Sequence, residues 1–77
     1  MKVKLNYTGY LKLAGVETGA ILDAEEGSTL GDLLARFDIA REQQRFLRLF
    51  ANEEKVDSSY ALRDGDELTV IMQIGGG

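Results

Sequence analysis

Alternating apolar and polar residues predict a strand at the start of the chain. Within residues 1–8, Val3, Leu5 and Tyr7 share one face, and the intervening positions are Lys2, Lys4 and Asn6. A period of two is typical of a strand with one face buried and the other in water. Residues 19–24, with the sequence GAILDA, predict a second strand that pairs antiparallel with the first.

The same alternation predicts a closing strand over residues 67–74. A turn signal precedes it at residues 63–66, where Gly65 is expected to supply a positive φ angle. One face of this strand carries Leu68, Val70, Met72 and Ile74, and the other carries Thr69, Ile71 and Gln73. The strand is therefore expected to bury the first set against a core.

A helical period replaces the alternation in the middle of the chain. Ser28 and Thr29 begin the helix, and Thr29 with Asp32 fits the capping-box pattern loosely, because aspartate stands where glutamate is preferred. An apolar stripe with helical spacing follows at Leu30, Leu33, Leu34 and Phe37. Such a stripe could belong to a helix that binds a partner, but a domain this small needs it to cover its sheet. Residues 38–45 are compatible with a continued helix or with a loop.

The remaining elements complete a recognisable order. Residues 46–51 predict a third strand, residues 52–55 a turn, and Val56 the start of a short edge segment, while Leu62 is expected in the core. The order strand, strand, helix, strand, short strand, strand places the closing strand beside the first. We therefore predict an α+β fold of the β-grasp type, with a mixed four- to five-stranded sheet and one helix packed across it.

The chain ends in three glycines. Glycine adds no side chain to a core and has the most conformational freedom to lose, so residues 75–77 are expected to form a flexible tail on a domain of residues 1–74. What the tail offers is a slender segment that carries the terminal carboxylate. This suits a carboxylate that enters the active site of another protein.

Composition narrows the functional classes. A chain of 77 residues has room for one core, and without cysteine or histidine it lacks disulfides and the usual metal ligands. Its net charge of −4 disfavours nucleic-acid binding, since that depends on cationic contacts to phosphate. No apolar run approaches a membrane span or the core of a signal peptide. We expect a soluble, cytoplasmic protein with no bound metal or cofactor.

Candidate catalytic residues are few. Asp64 and Asp66 could be considered an acid–base pair, but an Asp-Gly-Asp turn before a strand is explained by turn chemistry alone. The terminal glycines are not followed by a helix that would orient backbone N–H groups around a phosphate. The chain is therefore expected to be a protein substrate rather than an enzyme.

The Asp64-Gly65-Asp66 turn, the free Gly76-Gly77 end and the order of the elements resemble the ubiquitin-like sulfur carriers. These include the small subunit of molybdopterin synthase and the thiamine-pathway carrier ThiS. The resemblance implies that a partner enzyme uses ATP and Mg²⁺ to adenylate the Gly77 carboxylate, and that a sulfur donor then converts it to a thiocarboxylate. Gly75 and Gly76 would thread the tail through a narrow channel. A second implied partner is the large subunit of molybdopterin synthase.

Several acceptors of the sulfur are compatible with the sequence. The segment Tyr7-Thr8-Gly9-Tyr10 and the long first hairpin resemble the molybdopterin carriers, whereas a tail without proline resembles the thiamine carriers. Molybdopterin synthesis is the leading hypothesis. The alternatives are the thiamine pathway, a ubiquitin-like modifier joined to lysines through Gly77, and an interaction domain with incidental glycines.

A surface beside the tail is expected to dock the activating enzyme. The candidates are Ile71 and Ile74, with Leu62 and Phe50 as further possibilities. For Leu62 and Phe50, packing in the core is the favoured interpretation. Ile71 is the strongest candidate, because it lies on the opposite face of its strand from Leu68 and Val70.

Overall fold

A computed structural model describes residues 1–8 and 15–72. The segment at residues 10–14, for which the sequence allows a loop or a helical turn, lies outside the described residues. The elements are β1 (Lys2–Thr8), β2 (Ala20–Asp23), α1 (Leu30–Ala35), α2 (Arg41–Gln44), β3 (Leu47–Ala51), β4 (Glu54–Val56) and β5 (Glu67–Met72). The element order expected from the sequence is confirmed, with a second short helix added.

The five strands form one mixed sheet in the order β2-β1-β5-β3-β4. β5 lies at the centre, parallel to β1 and antiparallel to β3, while the two remaining pairs are antiparallel. Leu68 is paired with Leu5, and Val70 is paired with Leu49. The closing strand therefore lies beside the first, which confirms the β-grasp prediction.

The hydrophobic core lies between α1 and one face of the sheet. Leu5 and Leu68 have no exposed surface, and Leu30 and Leu34 cover them from the helix with none exposed either. The predicted stripe forms the inner face of α1 as far as Leu34, and Phe37, which follows the end of the helix, packs against the same cluster. Burial of an aliphatic side chain contributes about 1.5–3 kcal/mol, and such contacts supply most of the stability of a small domain.

The segment left open at residues 38–45 contains both a chain reversal and a helix. Asp38 has a φ of 64°, which ends the helical conformation that begins in α1, and α2 follows from Arg41. Gln44 of α2 is buried, and its Nε2 donates hydrogen bonds to the carbonyls of Gly31 and Ile39. One polar side chain thus ties α2 to α1, a contact that apolar periodicity does not reveal.

The turn after β3 is tighter than the sequence predicts. Asn52 and Glu53 both have positive φ angles, 52° and 72°, and β4 begins directly afterwards at Glu54. The predicted turn over residues 52–55 therefore ends two residues early. Asparagine tolerates the left-handed region better than most residues, which permits this two-residue reversal.

The capping box at the start of α1 gives a stability prediction. The Thr29 side chain accepts a hydrogen bond from the Asp32 N–H, and the Thr29 N–H donates to the Asp32 carboxylate. Thr29→Ala should lower the free energy of unfolding by about 1 kcal/mol, because the Asp32 N–H loses the hydroxyl that accepts its hydrogen bond. Thr29→Ser keeps the hydroxyl and is the matched control in urea unfolding. Equal stability of the alanine and serine variants would contradict the assignment.

Candidate functional site

The strand that leads to the glycine tail is the central strand of the sheet. β5 pairs with β1 on one side as far as Ile71 and with β3 on the other side as far as Met72. Neighbours on both sides hold a central strand more firmly than an edge strand. Ile74 and the glycines at 75, 76 and 77 lie outside the described residues. Met72 is therefore the last residue before the tail whose position in the sheet the structure describes.

The sheet face opposite the helices carries the candidate docking residues. Ile71 is half-buried and stands between Thr8 of β1 and Arg48 of β3. Phe50 is also half-buried and is paired with Thr69, one step along the same face. We call Ile71, Phe50, Thr69 and Arg48 the outer surface. It is apolar at its centre and it adjoins the last described residues of β5.

The candidate residues of the sequence divide between the two faces of the sheet. Ile71 lies opposite Leu68 and Val70, as the alternation predicts. Leu62 is only 6% exposed and belongs to the core, which confirms its predicted core role. It is therefore not part of the docking surface. Phe50 lies on the outer face and is absent from the core cluster, which is contrary to the favoured core interpretation.

A turn clamps the start of β5 to β1. Gly65 has a φ of 86°, as predicted, and its N–H donates to the Lys2 carbonyl at 2.7 Å. The Lys2 N–H donates in return to the Asp64 carboxylate at 2.7 Å, and the Lys4 N–H donates to the Asp66 carbonyl at 2.8 Å. Asp64 and Asp66 therefore serve the turn, which supports the structural interpretation of this motif.

Asp66 is the buried centre of a hydrogen-bond network. Asp66 is 5% exposed, and its carboxylate accepts hydrogen bonds from Asn52 Nδ2, from the Tyr60 hydroxyl and from the Arg63 N–H, all at 2.8–2.9 Å. Burial alone would raise the pKa of the carboxyl. The three hydrogen bonds together lower it by a larger amount, so the pKa lies below its usual value. The pKa of Tyr60 is raised, first by burial and then by its bond to Asp66.

The described residues offer little for catalysis. A groove of about 630 Å³ opens between the end of β2 and α1, with Leu33 in its floor. Two of its three carboxylates are engaged in ion pairs, since Asp23 pairs with Lys2 and Asp32 pairs with Arg41. Within residues 1–8 and 15–72, no group of three or more carboxylates could hold a metal ion. Nor is any described helix long and apolar enough to cross a bilayer.

Comparison with protein families decides the relationship. The model of the ThiS family matches residues 7–77, which is nearly the whole chain and includes the three terminal glycines. The chain belongs to the ThiS family. Membership of this family supports the general role of a ubiquitin-like sulfur carrier.

Solved structures place the ThiS-family fold among ubiquitin-like proteins. SAMP1 from Haloferax volcanii has a TM-score of 0.73 at 18% identity, with both chains fully covered. A putative molybdopterin converting factor subunit 1 from Pyrococcus furiosus has a TM-score of 0.68 at 22% identity, covering 95% of this chain and 98% of the other. A complex of subunits 1 and 2 of the molybdopterin-converting factor from Helicobacter pylori gives 0.65 at 22% identity, with full coverage of both chains. At these identities the likeness concerns the fold.

Sequence reasoning missed part of the outer surface of this ThiS-family chain. Arg48 and Thr69 flank the apolar candidates, and although alternation puts Thr69 on the face of Ile71, neither residue is among the docking residues predicted from the sequence. The signal was available in the alternation of β3, because Arg48 and Phe50 are two residues apart and therefore share a face. The register between β3 and β5 was needed to bring them beside Ile71.

Proposed function

We propose that this protein carries sulfur as a thiocarboxylate on Gly77. One observation supports this most strongly: the ThiS-family match continues through residue 77, so the glycine end belongs to the matched pattern. The chain supplies a carboxylate and, among its described residues, no histidine, cysteine or carboxylate cluster that would perform chemistry on it. The protein then acts as a substrate and sulfur donor, and its partner performs the catalysis.

The proposed reaction has two steps at the terminal carboxyl group. The Gly77 carboxylate attacks the α-phosphate of ATP and releases pyrophosphate, which leaves an acyl-adenylate. A sulfur nucleophile then attacks the carbonyl carbon and displaces AMP, so one carboxyl oxygen leaves with AMP and one sulfur takes its place. A carboxylate is a poor electrophile, and adenylation provides the leaving group. Mg²⁺ on the partner enzyme neutralises the phosphate charge.

The outer surface is the proposed docking site for the activating enzyme. Five residues separate Met72 from the end of the chain, and five residues span at most about 17 Å. The enzyme must therefore bind close to the end of β5, and the apolar side chains nearest that point on the outer face are Ile71 and Phe50. A half-buried apolar surface with a polar margin is typical of a protein interface.

We further propose that the sulfur is delivered to molybdopterin synthesis. One structural neighbour is described as a putative molybdopterin converting factor subunit 1, and another belongs to a complex of subunits 1 and 2 of the molybdopterin-converting factor. A large subunit of this kind would be the second partner of the thiocarboxylate form. To test this acceptor, the thiocarboxylate protein is mixed with that large subunit and the molybdopterin precursor. We expect the precursor to be converted to molybdopterin. Turnover only with the thiamine-pathway enzymes would assign the carrier to thiamine synthesis.

Deletion of Gly77 tests the carboxylate assignment. The truncated chain ends on Gly76, so its carboxylate lies about 3.5 Å short of the α-phosphate of the bound ATP. We expect at least a hundredfold loss of ATP–pyrophosphate exchange, because displacements of this size remove the productive geometry. A variant with one extra glycine after Gly77 is the control for tail length. Exchange at the wild-type rate with the truncated chain would contradict the proposal.

A further inference from the structure

An arginine and a phenylalanine form an exposed pair just before β3. Phe46 is 62% exposed, and the Arg45 guanidinium lies 5.0 Å from the centre of its ring. A second pair of the same kind, Arg36 and Phe37, has a separation of 5.7 Å, but Phe37 packs against the core. The Phe46 ring has no such structural role, because it is absent from the core cluster and from the residues packed against it.

The segment that carries this pair is positively charged within an acidic protein. Residues 41–48 contain three arginines and one glutamate, a formal charge of +2, whereas the whole chain carries −4. Arg41 forms an ion pair with Asp32 at 3.0 Å. Within residues 1–8 and 15–72, no ion pair or hydrogen bond engages the Arg45 guanidinium. Its charge therefore faces solvent across the exposed ring.

The register of the sheet places this pair at the described end of β5. Leu47, the first residue of β3, is paired with Met72, the last described residue of β5. Arg45 and Phe46 directly precede Leu47, so they lie at the end of the sheet where β5 ends. An enzyme that binds Gly77 in its active site has to contact the domain near this end of the sheet.

We propose that Arg45 and Phe46 bind an acidic surface with an apolar centre on the enzyme that activates Gly77. This inference rests on the proposed function and adds a specificity contact to it. The stacked guanidinium keeps its N–H groups directed outward for carboxylates, and the ring supplies apolar area that is buried on contact. A positive segment on an acidic chain also selects the orientation of approach, because the rest of the surface repels an acidic partner.

Charge reversal at the two matched pairs tests this contact. The assay is ATP–pyrophosphate exchange with the activating enzyme of the same organism. The KM for this protein is determined at several salt concentrations, from low to high. Arg45→Glu should raise KM about tenfold at low salt and make KM less dependent on salt, whereas Arg36→Glu should change it little. Phe46→Ala should raise KM at all salt concentrations, because it removes apolar contact. Circular dichroism confirms that each variant is folded.

The outcomes separate this inference from the proposed function. If the wild-type chain supports exchange but Arg45→Glu and Phe46→Ala leave KM unchanged, the specificity contact is disproved and the carrier function stands. Equal increases for Arg45→Glu and Arg36→Glu also disprove it, because they would reflect overall charge. If the wild-type chain supports no exchange with an enzyme that is active on its own carrier, both proposals fall.

Discussion

Replacing Ile71 with aspartate is expected to block activation of the tail while the domain stays folded. Ile71 stands on the outer face of the central strand, between Thr8 and Arg48, and its side chain lies outside the core. Burial of a new carboxylate in an apolar interface costs several kcal/mol, and about 2.7 kcal/mol corresponds to a hundredfold loss of affinity. We therefore expect KM in the exchange assay to rise about a hundredfold or more.

A matched control is available on the same face of the sheet. Ile21 lies on edge strand β2, where it is paired with Lys4 of β1, and its side chain is 62% exposed. Ile21→Asp makes the same chemical change far from the end of β5, so activation should continue at close to the wild-type rate. A loss of the folded circular dichroism spectrum in Ile71→Asp would show that Ile71 supports the fold. Equal losses of activity in both variants would exclude the outer surface as the docking site.

Replacing Asp66 with asparagine is expected to destabilise the domain by about 2–3 kcal/mol. The carboxylate accepts from three donors, so an amide NH₂ at either oxygen position would face a donor within a buried site. Rotation of Asn52 gives no relief, because its Oδ1 accepts a hydrogen bond from the Glu67 N–H. For a chain of this size, whose stability is of the order of 4–12 kcal/mol, this is a large fraction.

The pH dependence of stability provides an independent check on Asp66. Its pKa is lower in the folded state than in the unfolded state, so the folded protein binds this proton less tightly. The stabilisation is complete above the unfolded pKa of about 4 and is lost as the pH falls through the folded pKa. The difference in urea stability between wild type and Asp66→Asn should therefore narrow in acid. Asp64→Asn, at an exposed position of the same turn, should have a small effect at every pH.

Most of the fold follows from patterns that are local in the chain. The alternation around Leu5 and Leu68 reflects burial of one sheet face, and a pattern with period two leaves little freedom in the choice of face. The capping box at Thr29 depends on residues three apart, so it too is local. The second helix was harder to predict, because α2 is short, polar and held by Gln44 through bonds to distant carbonyls.

The candidate site was predictable only in part, because it is assembled across strands. Alternation alone separates Ile71 from Leu68, and so it identifies one docking residue. The register between β3 and β5 is set by distant contacts, and it is this register that brings Phe50 and Arg48 beside Ile71. Phe46 illustrates the same difficulty, since an aromatic residue next to a strand is most simply interpreted as core. Its exposure depends on where β3 begins.

The central proposal is that Gly77 carries sulfur, and the intact mass of the protein tests it most directly. The chain is incubated with ATP, Mg²⁺, sulfide and the activating enzyme of the same organism, and its mass is recorded before and after. We expect a gain equal to the exchange of one oxygen for one sulfur, absent when Gly77 is deleted. An unchanged mass with an enzyme shown to be active would contradict the proposal, and so would transfer to lysine amines with loss of water, which would identify a protein modifier.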